Sequence, residues 1–211
     1  MVTIVDSHPE VPVLDWAVAS RTLPGQNVSG DLHLIQPCEH GVLVAVVDGV
    51  GHGDEATLAA RTAVNALAES PTEPVVSLVK HCHPLLAKTR GVVMTLAWID
   101  SREATVTWLG VGNVQGLLLR ADTRTRPVVE RVLLRGGLVG YQLPVLQASV
   151  LPINPGDLLV FASDGIQGDF SERLTYTAQA PQRIADQILS RSAKETDDAL
   201  VLVGRFRGGQ P

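Results

Sequence analysis

The chain has 211 residues, 45% of them hydrophobic, and a formal net charge of −5. That size and apolar content suit one folded unit with a sizeable core. The absence of a basic run argues against a nucleic-acid partner, and no apolar stretch reaches the length of a membrane-spanning helix. Two cysteines, Cys38 and Cys82, fit a reduced intracellular chain better than a disulfide framework. The start, MVTIVDSHPEVPV, has neither the basic nor the apolar region of a signal peptide. The expected location is the cytoplasm.

In chain order, VLDWAVASR and DLHLIQP alternate as strands do, and GVLVAVVDG is the continuous β-rich run of a strand buried on both faces. Residues 54–69, DEATLAARTAVNALAE, have helical spacing, with Asp54 and Glu55 where the helix dipole favours acids. PVVSLVKHCHPLLAKT reads as a second helix, ended or bent near Pro84. Three strands with short turns follow, GVVMTLAWIDS, EATVTWLGVG and VQGLLLRAD, with Gly112–Asn113 read as a hairpin turn. PVVERVLLR, QASVLPI and DLLVFASDG are further strands, PQRIADQILSRSA a helix, and ALVLVGRF the last strand. Strand and helix do not alternate as in a doubly wound sheet, and sequential strands with short turns imply antiparallel pairing. The expected fold is α+β: two packed antiparallel sheets with helices outside, an αββα sandwich of four layers. It forms one domain over residues 1–211, with its core at about 11–206.

Acids stand at the ends of four of these strands. Asp31 opens one after a glycine, Asp48–Gly49 and Asp164–Gly165 close two others, and Asp197–Asp198 precede the last. Carboxylates and backbone carbonyls are the ligands of hard divalent cations, and carboxylates converging without a cation repel one another. Asp–Gly is also a common turn dipeptide, so each pair alone reads better as a turn than as a ligand. Pro155–Gly156–Asp157 is read as a turn outside the site. A dinucleotide loop is the competing reading of VVDGVGHGDEA, but the third glycine of that fingerprint is replaced by Asp54, and no Walker lysine follows. His81, Cys82 and His83 do not share a helix face and are read as packing or surface residues. Trp16, Trp98 and Trp108 are read as core.

Taken in order, SGD, VVDGVGHG, ASDG and DDALVLV resemble the metal-dependent type 2C serine/threonine protein phosphatases, and within them the bacterial SpoIIE branch. WLGVGNVQGLLL and LLRGGLVGYQ are similar to the small stand-alone stressosome phosphatases of that branch. The likeness runs from about Asp15 to Phe206. It implies two Mn2+ or Mg2+ ions, with Asp48 bridging them and the carbonyl of Gly49 completing one shell. Asp164 and Asp197 would bind the second ion, and Asp31 would hold an ion or its water. A metal-bridging hydroxide would attack phosphoserine or phosphothreonine. The implied catalytic residues are Asp48, Asp31 and Asp164, and the implied partner is a phosphorylated stressosome or STAS-domain protein. The terminal motif's first acid is the family ligand, which selects Asp197 over Asp198. The family's phosphate-gripping arginine is missing between Pro24 and Gly30, and Arg21 is the nearest. His52 reads as packing at the helix start, with proton donation as the alternative. The rival functions are a docking module without turnover and a nucleotide-binding enzyme on a parallel sheet.

Overall fold

The protein is described by a computed structural model over residues 11–175 and 178–209. The first ten positions, read above as carrying no leader, lie outside the described residues. The elements run β1 (Leu14–Arg21), β2 (Asp31–Cys38), β3 (Gly41–Gly49), α1 (Asp54–Glu69), α2 (Val75–Leu85), β4 (Val92–Asp100) and β5 (Thr105–Val111). They continue with β6 (Gln115–Leu119), β7 (Val129–Arg131), β8 (Leu134–Arg135), β9 (Ser149–Pro152), β10 (Leu158–Ala162), α3 (Phe170–Arg173), α4 (Pro181–Ser192) and β11 (Ala199–Phe206).

One sheet has the order β1-β11-β10-β6-β7, the other β2-β3-β4-β5-β8 with β9 also on β5. Three apolar layers follow from the strand alternation. Val42, Val44 and Val46 of β3 face Leu200 and Leu202 of β11 between the sheets. Leu43, Ala45 and Val47 point the other way, against Ala59, Ala63 and Leu67 of α1. On the far side, Val201 and Val203 meet Ile184, Ala185 and Ile188 of α4. Every residue from Val42 to Val47 is fully buried, so β3 has no polar alternation to lose, as its sequence predicts. Burying each of its larger aliphatic side chains contributes about 1.5–3 kcal/mol. The expected four-layer sandwich is therefore the fold.

Several expectations are corrected. Pairing is antiparallel except for β5 with β8, which is parallel over two residues. PVVERVLLR is not one strand: β7 joins β6 in the first sheet and β8 joins β5 in the second. Gly112–Asn113 is not a hairpin turn, because β5 and β6 belong to different sheets and the turn carries the chain between them. Trp108 is core, but Trp16 and Trp98 are only partly buried. Asp157 lies outside the site, as expected. It is fully buried and accepts bonds from Arg120 (3.1 Å) and the Ala121 amide (2.8 Å). No helix among the described residues is long and apolar enough to cross a membrane.

Candidate metal centre

The acids meet where the two sheets present their strand ends side by side. Asp31 begins β2 and lies directly across the ladder from Asp48, near the end of β3. Asp164 follows β10, and Asp197 and Asp198 precede β11, its hydrogen-bonded neighbour. The two sheets are linked at this point. The Ser163 hydroxyl donates to Asp31 Oδ2 at 2.6 Å and accepts the Leu200 amide of β11 at 2.9 Å.

Gly49 and Gly165 have a different task from the turn geometry their Asp–Gly sequences suggest. Neither has a positive φ. A Cβ on Gly49 would collide with the carbonyl oxygen of Ala56 in α1, and one on Gly165 with the carbonyl oxygen of Asp198. Each glycine lets a second backbone segment pass against the acid that precedes it.

Asp31 is only 5% exposed. Desolvation raises its carboxyl above the ordinary carboxylate range, and the charges of Asp198, Asp164 and Asp197 add to the rise despite the Ser163 bond. Asp48 is raised further, first by burial and then by the charges of Asp31, Asp164 and Asp197. Asp197, half-buried, is raised by desolvation and by Asp164. The cluster thus carries more negative charge than its surroundings compensate. All its donors are hard oxygens, the set that suits Mg2+ or Mn2+ rather than a thiolate-seeking metal. As the side chains stand, no three His, Cys, Asp or Glu among the described residues are gathered closely enough to hold a metal ion, so the fit rests on the chemistry of the donors.

Asp198 is occupied elsewhere. It is 2% exposed, and its two oxygens accept the backbone amides of Leu23 and Gly30, each at 2.7 Å. It fastens the segment leading to Asp31, and Asp197 remains open to the cluster. The Asn113 amide donates to Asp164 Oδ2 at 2.8 Å, and Lys194 Nζ donates to the Asp164 carbonyl at 2.5 Å. Sequence reasoning placed none of Ser163, Asn113 and Lys194 at the site. The only signals were a hydroxyl beside an acid in ASDG and a side-chain amide in a turn. Arg21 is turned away, its guanidinium binding the backbone carbonyl of Lys194. His52 is exposed on its loop, which removes the packing role expected for it. Cys82 is fully buried in its helix, while His83 Nδ1 accepts the Gly140 amide at 2.9 Å.

The family model described as stage II sporulation protein E (SpoIIE) matches residues 39–207. Phosphoserine phosphatase RsbX of Bacillus subtilis (strain 168) is 24% identical over 94 residues, 44% of this chain and 47% of that protein. The match thus spans about half the length of this curated relative. Among solved structures, one from work on the bacterial stressosome as a modular system adapted to control secondary messenger signalling is 30% identical. It superposes with a TM-score of 0.81 over 91% of this chain and 99% of its own. RsbX in complex with magnesium superposes at 0.82 with 18% identity, covering 94% and 98%. The PP2C phosphatase domain of Bacillus subtilis SpoIIE gives 0.76 with 22% identity, covering 94% and 63%.

Proposed function

Since the chain belongs to the SpoIIE family, with its PP2C fold, we propose that it is a metal-dependent protein serine/threonine phosphatase. The observation that carries this reading is the Asp31–Asp48 pair, a buried and a partly buried acid facing each other across a ladder with both carboxyls raised. Asp31, Asp48, the Gly49 carbonyl, Asp164 and Asp197 would hold two Mg2+ or Mn2+ ions. When bound, such ions lower the pKa of a water and offset charge on phosphoryl oxygens.

The chain's own groups have narrower tasks. Ser163 orients Asp31, Asn113 orients Asp164, and Asp198 fixes the Leu23–Gly30 segment in front of β2. Such outer contacts set the aim and basicity of a ligand. In the reaction a water oxygen bonds to phosphorus and the bond from phosphorus to the serine or threonine oxygen breaks. The leaving oxygen takes up a proton, giving a free hydroxyl and inorganic phosphate. A covalent cysteine route has no support. The Cys82 thiol is pushed up to about 12 by burial, and burial raises Cys38 as well, so neither is a ready thiolate.

The kinship with RsbX and with a stressosome structure supports a phosphorylated stressosome or STAS-domain protein as substrate. The test is phosphate release from a serine-phosphorylated STAS-domain protein and from an aryl phosphate, with Mn2+, Mg2+ or a chelator. Release from both that stops with chelator is expected. Binding of the phosphoprotein without release from either substrate under either metal would replace the enzyme with a docking module.

A further inference from the structure

A phosphate monoester brings a charge of about −1.5 to −2. Four carboxylates and two divalent cations formally balance each other, so a further cation beside the cluster would favour the arriving phosphoryl group over its release. This inference rests on the phosphatase reading above, and the positions of three side chains carry it.

Among the described residues, Arg90, Arg21 and Lys194 are cations on segments that border the cluster. Arg90 sits against Gly51 and is paired with Glu55 in the first turn of α1. Arg21 gives its guanidinium to the Lys194 carbonyl. Lys194 is the one whose charged end lies on the backbone of a site acid, at the Asp164 carbonyl. Its backbone is fixed at both polar groups, the amide donating to the Gly165 carbonyl at 2.8 Å and the carbonyl accepting from Arg21. Its side chain then folds back so that Nζ meets the Asp164 carbonyl at 2.5 Å. The ammonium has three donors, and this bond uses one. Its charge is felt at Asp197, where it opposes the rise caused by the other acids.

We propose that Lys194 contacts the phosphoryl group of the substrate, and that Arg21 is its positioning residue, holding the Lys194 backbone so that the ammonium stays beside Asp164. A lysine that served only to brace the Asp164 carbonyl would affect metal binding and stability. A phosphoryl contact affects the affinity for phosphate itself.

The experiment uses the full chain with saturating Mn2+. It measures aryl phosphate hydrolysis, inhibition by inorganic phosphate, and the calorimetric affinities for Mn2+ and, on the Mn2+-loaded protein, for inorganic phosphate. Lys194→Met is expected to weaken phosphate binding and raise KM by about 10- to 100-fold, the size of one charge-assisted hydrogen bond. Mn2+ affinity should stay within about twofold, and Lys194→Arg should recover part of the loss. Arg21→Met should weaken phosphate binding in the same sense but less. Unchanged phosphate affinity in Lys194→Met overturns the proposal, as does a loss of Mn2+ affinity that accounts for the whole effect. So does a loss of phosphate affinity seen in Arg90→Met instead. If the wild type releases no phosphate with any metal, the phosphatase reading fails. The calorimetric phosphate arm then decides the role of Lys194 by itself.

Discussion

Strand β10 has a buried aspartate just before it and an acid-rich cluster just after it, and the two ends are built by opposite rules. At the first, Asp157 is met by Arg120 and accepts the amides of Ala121 and Asn154 at 2.8 and 3.0 Å. Glu130 lies on the same guanidinium. Both carboxylate oxygens of Asp157 accept hydrogen bonds and its charge meets a guanidinium, as a structural acid requires. At the other end Asp31, Asp48, Asp164 and Asp197 crowd together, and three of them are pushed above the usual carboxylate range. The lesson is that burial alone does not mark a functional acid. Burial with too little compensating charge does.

The sharpest way to break this comparison is to neutralise one acid at each end. Asp48→Asn should abolish metal-dependent phosphate release, a loss larger than the 10- to 100-fold that removing an outer contact costs. It should leave the metal-free protein at least as stable as wild type, as read by thermal unfolding. Asp157→Asn should do the reverse. It should cost about 1–3 kcal/mol of stability, because buried Arg120 loses its nearer carboxylate and keeps only Glu130 at 3.6 Å, and should spare Mn2+ affinity in the folded protein. The same contrast holds between adjacent residues. Asp198→Ala should cost about 2–4 kcal/mol in denaturant unfolding by stranding two amides, while Asp197→Asn should weaken Mn2+ binding and barely alter stability. Ser163→Ala should lower Mn2+ affinity or activity about 10- to 100-fold, as measured by titration.

The smallest effect is the pH dependence of the metal-free chain. Asp31, Asp48 and Asp197 have raised values in the folded state, so that state holds more protons than the unfolded one. The stability tied to their protonated forms is complete below the ordinary carboxylate value of about 4. It is lost as pH rises through the raised values. The melting temperature should fall by roughly 4–8 °C on the alkaline side of neutrality, for ~2 kcal/mol. Saturating Mg2+ or Asp48→Asn should flatten the slope.

Where local pattern decides, the sequence was legible. The run 41–49 is β3 and the run 54–69 is α1, residue for residue, because one is apolar throughout and the other is rich in alanine at helical spacing. The acids at strand ends were visible too, since Asp–Gly after a strand is a local signal. What was hidden depends on partners distant in the chain. Ser163 meets Asp31 across 132 positions, and Asp198 meets Gly30 across 168. The terminal motif singled out Asp197, but no short pattern shows that Asp198 beside it is an amide clamp. The split of PVVERVLLR between two sheets is likewise set by the neighbours β6 and β5. Gly112–Asn113 has the composition of a hairpin turn and the function of a crossing.

The most direct measurement is a Mn2+ titration of the wild type and Asp48→Asn, with heat of binding and phosphate release followed on the same samples. The account predicts that the wild type binds Mn2+ with release of protons and hydrolyses aryl phosphate in proportion to the metal bound. Asp48→Asn should do neither while remaining folded. Undiminished hydrolysis in a folded Asp48→Asn protein, or hydrolysis by the wild type in excess chelator, would contradict it.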